Sequence, residues 1–342
     1  MNRRLAVLAL LALIGIAGYG IWWAVAPHPG PPPGPPESIT VAYSPFESTA
    51  LFWVAEDRDF FGENGLCVTL RRYDTGAASL DGVAKGEAAI AVGATEFPLV
   101  GLAFRNTGLR AMACMDRGEF TYLVGRKDRG IQSASDLRGR RVGTTAGTIA
   151  EFHLVRYLNL HGLTLEDVVL VDLKTPAEWV NATADGDVDA IATSQPYANA
   201  ARDRLGANAV IWPLQSDQPL FALVVATDGW IGAHPETARR FLASLAEAEV
   251  YVAEHPAESR AIVRQRLNLD PGYVDTVWQQ NRYGLSLDQS LIAAMEDEAR
   301  WMIANNMTNA TAIPDFGTCI DPTALEQVRP KAVRLLGRGD GS

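Results

Sequence analysis

The stretch RRVGTTAGTIAEFHLVRYL, Arg140–Leu158, begins as a buried strand, breaks at a run of glycines and threonines, and continues as an amphipathic helix. The strand ends at Thr144 and Thr145, and Gly147 lets the backbone turn tightly. Thr148, with Glu151 three residues later, has the spacing of a capping box, which marks a helix start. A helix N-terminus presents unpaired N–H groups and partial positive charge, both of which favour anions. Thr144, Thr145 and Thr148 add hydroxyl donors, so with Gly147 they are candidate residues for a sulfonate, nitrate or carboxylate. No lysine follows the last glycine, which excludes a nucleotide P-loop of the GxxxxGK[ST] type.

The same strand–turn–helix unit recurs on both sides. β-rich runs are read at 39–44, 67–73, 88–94, 110–115, 121–126, 140–145, 168–173, 190–195, 209–214 and 220–227, with helical patterns between most of them. This alternation predicts mostly parallel sheets covered by helices. After Thr227 the pattern reads as almost pure helix, at 235–254, 257–267, 271–281, 287–304 and 322–336. Several strands end in small or polar residues just where a helix begins: SPFEST, GATEFP, GTTAGT and SQPY. Ligands of open α/β sheets collect at such carboxyl ends, in the crevice where strand order switches. Ser44 and Phe46, Thr95 and Glu96, Gln195 and Tyr197 are therefore candidate ligand residues, and Asp217 precedes the strand that returns. Glu96 is expected at the crevice mouth, where an acceptor-only carboxylate matches an ammonium, guanidinium or amidine. An anion-binding pole opposite that carboxylate would suit a zwitterion such as an aminosulfonate. Tyr197 reads equally as a stacking partner or as packing of the surface.

The chain has 342 residues, 48% apolar and 20% charged, with a net charge of −10. That length exceeds one ordinary core. No block of lysine or arginine offers a phosphate-neutralising footprint, so nucleic acid is not expected as a partner. Cys67, Cys114 and Cys319 match no zinc spacing, and the five histidines form no HExxH motif, so neither a metal nor a catalytic centre is expected. Cys114 and Cys319 are read either as a pair or as separate buried thiols. At the start, Arg3 and Arg4 precede an uncharged apolar run, Leu5–Ala26, that ends close to Trp22 and Trp23. The run suits a transmembrane signal anchor over residues 1–26 better than a cleaved signal peptide, and positive charge inside places the remainder outside the cytoplasm. PHPGPPPGPP follows, and residues 27–37 read as an extended proline/glycine linker.

An ordered set of elements then resembles a known family. FFGENGL at 60–66, GEAAIAVG at 86–93, DLRGRRVGTTAGT at 136–148, GDVDAI at 186–191 and the helical ETARRFLASLAEAEVYVAEHPAES at 236–259 are similar to the nitrate/sulfonate/taurine type of substrate-binding proteins of ABC importers. The resemblance implies a bilobal, periplasmic-binding-protein-like α/β clam shell: two mostly parallel sheets flanked by helices, two hinge crossovers and a helical C-terminal tail. It implies lobe one at 38–122 and 222–342, lobe two at 123–221, and crossovers at the strands 121–126 and 220–227. It also implies a monomer without cofactor that passes a small anionic or zwitterionic solute to membrane permease subunits, rather than an enzyme. The alternative on the same fold is a binding protein or enzyme acting on an aminopyrimidine.

Overall fold

The computed structural model describes residues 35–216 and 218–336. The expected anchor at 1–26, most of the linker and Asp217 lie outside the described residues. Among the described residues no helix is long and apolar enough to cross a membrane.

The chain begins with β1 (Glu37–Tyr43), α1 (Ala50–Asp57), α2 (Phe60–Glu63), β2 (Leu66–Arg72), α3 (Gly76–Ala84), β3 (Ile90–Thr95), α4 (Glu96–Ala103) and β4 (Leu109–Gly118). It then forms β5 (Thr121–Arg126), β6 (Arg141–Thr144), α5 (Ile149–Leu160), β7 (Val169–Asp172), α6 (Pro176–Asp185), β8 (Ala190–Ser194), α7 (Tyr197–Leu205) and β9 (Ala209–Pro213). The last part holds β10 (Leu220–Thr227), α8 (Asp228–Ala233), α9 (Pro235–Glu254), α10 (Pro256–Leu267), α11 (Pro271–Trp278), β11 (Asn281–Asp288), α12 (Gln289–Ala304), α13 (Thr323–Val328) and β12 (Val333–Arg334). Local chemistry explains many boundaries. Proline occupies the first position of α9, α10 and α11, where a missing N–H costs nothing. Thr75, Asp270 and Asp288 each accept a first-turn N–H at the start of α3, α11 and α12.

Two sheets divide these strands. A seven-stranded sheet has the order β12-β11-β4-β10-β3-β1-β2, and a five-stranded sheet the order β7-β6-β8-β5-β9. The fold is a bilobal α/β structure of the periplasmic-binding type, with one lobe built on each sheet. The sheets are mixed rather than mostly parallel. β1 is parallel to β2 and β3, and β6 to β7 and β8. β10, however, runs antiparallel to β3 and β4, and β5 runs antiparallel to β8 and β9. The cause is topological: a chain that passes from one sheet to the other and back inserts its crossing strands against the direction of the βαβ units.

The expectation of an almost purely helical C-terminal part is also corrected. β11 pairs antiparallel with β4, and β12 adds parallel to β11. Leu285 and Leu287, at the alternate spacing of a strand, are buried beneath the helices. The larger core lies around the seven-stranded sheet, where Phe52 and Phe61 of α1 and α2 meet Phe241 of α9. Smaller cores flank the five-stranded sheet on both faces. The three cysteines are free thiols, Cys67 exposed and the other two buried.

Candidate ligand-binding cleft

The carboxyl ends of strands from both sheets converge on one cleft of about 800 Å³. Phe46, Glu47 and Ser48 enter from beyond β1, Thr95 from the end of β3, and Gly147 and Thr148 from the turn after β6. Ser194 and Gln195 follow β8, while Thr121 and Leu220 open the strands β5 and β10. In the five-stranded sheet Thr121 lies directly opposite Ser194 in register, so adjacent strands deliver adjacent hydroxyls. Much of the rest of the wall is apolar, with Phe97, Pro98, Leu102, Phe104, Phe120, Ile149, Met302 and Met307, and Thr75, Asp81, Arg105 and Thr308 add polar groups.

Of the residues expected from sequence, Phe46, Thr95, Gly147, Thr148 and Gln195 line this cleft. Others stand behind it. Ser44 is fully buried and its hydroxyl has no partner among the described residues. Thr144 donates its hydroxyl to the Ala192 carbonyl at 3.0 Å, stitching β6 to β8. Thr145 donates to the Leu173 carbonyl at 2.6 Å and receives the Trp179 indole N–H at 3.1 Å. Tyr197 stands outside the lining, edge-on to Trp179 with ring centroids 5.2 Å apart.

Glu96 departs most from its expected place. Instead of standing at the mouth it is fully buried, and its Oε2 accepts the Phe221 backbone N–H at 2.9 Å. That bond ties α4 to the start of β10, the returning crossover. Burial pushes its carboxyl up to about 8. Burial likewise raises Glu298 of α12, and the Glu96 charge raises it further.

The start of α5 also differs from the expected capping box. Thr148 donates its hydroxyl back to the Thr145 carbonyl at 2.7 Å instead of capping the first turn. Glu151 takes the Gly147 N–H at 2.7 Å. Gly147 has φ +74°, the left-handed region that favours glycine. The first-turn N–H groups of α5 therefore have no side-chain cap.

At the junction of the lobes, Gln215 is completely buried and bonds to both connections. Its Oε1 accepts the N–H groups of Phe120 and Thr121, and its Nε2 donates to the carbonyls of Gly118 and Gln218, each at 2.9 Å. Beside it, the Thr121 hydroxyl lies 2.8 Å from His153 Nδ1. Burial, with the nearby Arg156 charge, pushes the His153 imidazole down to about 3, so it is neutral at physiological pH.

A family model described as NMT1/THI5 like matches residues 47–259, which is more than half of the chain and includes most of the strand ends at the cleft. The chain belongs to the NMT1/THI5-like family. A putative binding protein of Brucella abortus (strain 2308) is 23% identical over 248 residues, covering 70% of this chain and 74% of that protein. The taurine-binding periplasmic protein of Escherichia coli (strain K12) is 26% identical over 223 residues, 62% of this chain and 65% of that one. The periplasmic aliphatic sulphonate binding protein SsuA from Escherichia coli has the same fold, with a TM-score of 0.73 at 17% identity, covering 83% of this chain and 97% of its own. So does the desulfurization enzyme DSZB, with a TM-score of 0.63 at 19% identity over 86% of this chain and 99% of its own.

Within this NMT1/THI5-like chain, the cleft residues that sequence reasoning passed over are of two kinds. Glu47 stands next to Phe46 in the SPFEST element and was in plain view as a carboxylate at a strand end. Met302, Met307 and Thr308 come from α12 and the loop after it, beyond the residues the family model matches, and no local pattern marks them.

Proposed function

We propose that this chain is the extracytoplasmic solute-binding component of an ABC importer, which captures a small anionic or zwitterionic organic solute between its lobes and releases it to permease subunits. The observation that carries the reading is the cleft itself. Its lining comes from strand ends of both sheets, and the two connections between the sheets run directly behind it. A solute that touches both walls has more contacts in a closed arrangement than in an open one, and that difference drives closure. We place the lobes at 38–122 with 222–342 and at 123–221, with the hinge at β5 and β10. The names of the taurine-binding and sulphonate-binding relatives support a sulfonate-type solute and a place outside the cytoplasm, as does the apolar run at 5–26 as a membrane tether.

The likeness to a desulfurization enzyme raises turnover as a second reading. The hydroxyl best placed for it is that of Thr121, in the cleft lining and bonded to His153. A general base works best with a pKa near the operating pH, and a histidine held down to about 3 is a poor one. Binding without chemistry therefore fits the site better. Thermal-shift screening of the chain with sulfonates, nitrate, amines and aminopyrimidines tests the proposal. A stoichiometric, reversible rise in Tm with unchanged ligand supports capture; multiple turnovers of any of these compounds would replace capture with catalysis.

A further inference from the structure

The cleft combines a buried acid with an apolar wall. Glu47 is only 4% exposed and yet belongs to the lining. Among the described residues Arg105, which is exposed, is the one basic side chain of the lining, and Asp81 also lines the cleft. Behind Glu47, Asp116 of β4 is fully buried, with only the backbone N–H groups of Arg117 and Arg282 near its carboxyl and no side-chain partner among the described residues. Tyr283 is its register partner on β11, with a hydroxyl that is buried and unpartnered among the described residues, while the Tyr273 hydroxyl faces Glu47 as a hydrogen-bond donor. Burial raises both carboxyls, and the charge of Glu47 raises Asp116 further. Two carboxyl groups thus stand together beside the cleft with no cation against them among the described residues, and a cation brought by a ligand would favour their ionised form.

A buried carboxyl group that lacks a cation is matched by a ligand that brings one. A protonated amine supplies up to three donors to such a floor, and aromatic faces nearby add attraction for a cation. The apolar part of the lining selects differently. Phe97, Phe104, Phe120, Met302 and Met307 give an apolar surface, and a cavity of about 800 Å³ lies within the range of sites that enclose drug-sized molecules. A solute of two or three carbons leaves most of that surface uncovered.

We infer that the solute carries an organic amine, with its protonated nitrogen seated on Glu47 in front of Asp116 and an aromatic-sized apolar body against Phe97, Phe104, Met302 and Met307. The inference rests on the capture reading and names its substrate class. An acidic group facing the first turn of α5 is compatible with it, but the amine is what selects the solute. Met302 and Met307 lie beyond the residues matched by the family model, whereas Phe97 and Phe104 lie within them.

Isothermal titration of the full chain with 3-phenylpropylamine, 3-phenylpropanol, 3-phenylpropanesulfonate and taurine tests it. The amine binds about tenfold or more tighter than the alcohol or the sulfonate, as expected for a hydrogen bond to a buried charge. In Glu47→Gln the amine falls to the level of the alcohol while the alcohol is unchanged. In Met302→Ala/Met307→Ala the three phenyl compounds weaken together and taurine does not. Melting curves identify any variant that fails to fold, and the comparison among ligands in the unaltered chain then decides alone. A sulfonate that binds as tightly as the amine, or tighter, overturns the amine assignment and leaves capture standing. Silence of all four compounds, together with no hit in the wider thermal-shift screen, overturns both.

Discussion

His153 shows what a single buried group does to the stability of the whole chain. Its Nδ1 is engaged with Thr121, and burial holds its basicity down to about 3 from 6.5. Between those values the unfolded chain binds a proton that the folded chain does not. Stability is therefore full above pH 6.5 and is lost as pH falls toward 3. The slope from this group is at most ~1.4 kcal/mol per pH unit, and a His153→Gln variant should lose that slope in urea titrations run from pH 7 to pH 4. Glu96 acts in the other direction. Its carboxyl is raised from 4.5 to about 8, so the folded chain holds a proton that the unfolded chain releases. The stability it contributes is full below 4.5 and is lost as pH rises through about 8. Glu96→Gln should flatten the decline in Tm between pH 5 and pH 9; an unchanged decline would show that Glu96 is not held protonated. The sequence placed Glu96 correctly after a strand end. It could not show that β10, more than a hundred residues later, would turn the Phe221 N–H onto it. Thr144 and Thr145 teach the same lesson, since a hydroxyl at a strand end can face the next strand as readily as a ligand, and only the neighbours decide.

At the scale of elements, the readable parts were those with strong local signals. β5, β10 and α9 fall where the apolar runs and the Pro235 helix start place them. β11 was missed because its run NRYGLSLD is mostly polar, sits between two helices, and buries only Leu285 and Leu287 fully. Those two positions do alternate, and the alternation was the available signal. Leu287→Ala should cost about 2–5 kcal/mol, the range for truncating a buried leucine, measured as a shift in the urea midpoint with an unchanged slope. Gln215 carried no signal at all, because its importance comes from joining two connections that are almost a hundred residues apart in sequence. Truncating it leaves the Phe120 and Thr121 N–H groups and the Gly118 and Gln218 carbonyls without that partner. Buried polar groups left unpaired cost about 1–3 kcal/mol each. Gln215→Ala should therefore destabilise the chain by several kcal/mol and raise amide exchange at residues 118–121, whereas a loss confined to the five-stranded sheet would mean that the two connections are not coupled through this side chain.

For the molecule as a whole, the question is which contacts hold the two lobes against each other. Phe152 of α5, in the lobe of the five-stranded sheet, packs on two rings of the other lobe. Its centroid lies 6.4 Å from that of Phe97 and 5.7 Å from that of Trp301. A Cβ added at Gly147 would meet the Met307 methyl at 3.5 Å, so the turn after β6 also approaches the loop after α12. Both contacts span the cleft beside the apolar wall. They favour the arrangement in which the lobes touch, and a solute shifts the equilibrium only by its additional preference for that arrangement. Removing the Phe152 ring takes away attraction between the lobes and leaves the solute-facing residues in place. Phe152→Ala should therefore give a larger radius of gyration in solution scattering without solute, and a saturating solute should restore the compact value. Its affinity should fall, because part of the binding energy is then used to close the lobes. If the variant scatters like the unaltered chain in both states, the Phe152 contact does not govern closure, and the hinge connections around Gln215 would have to set the resting arrangement alone.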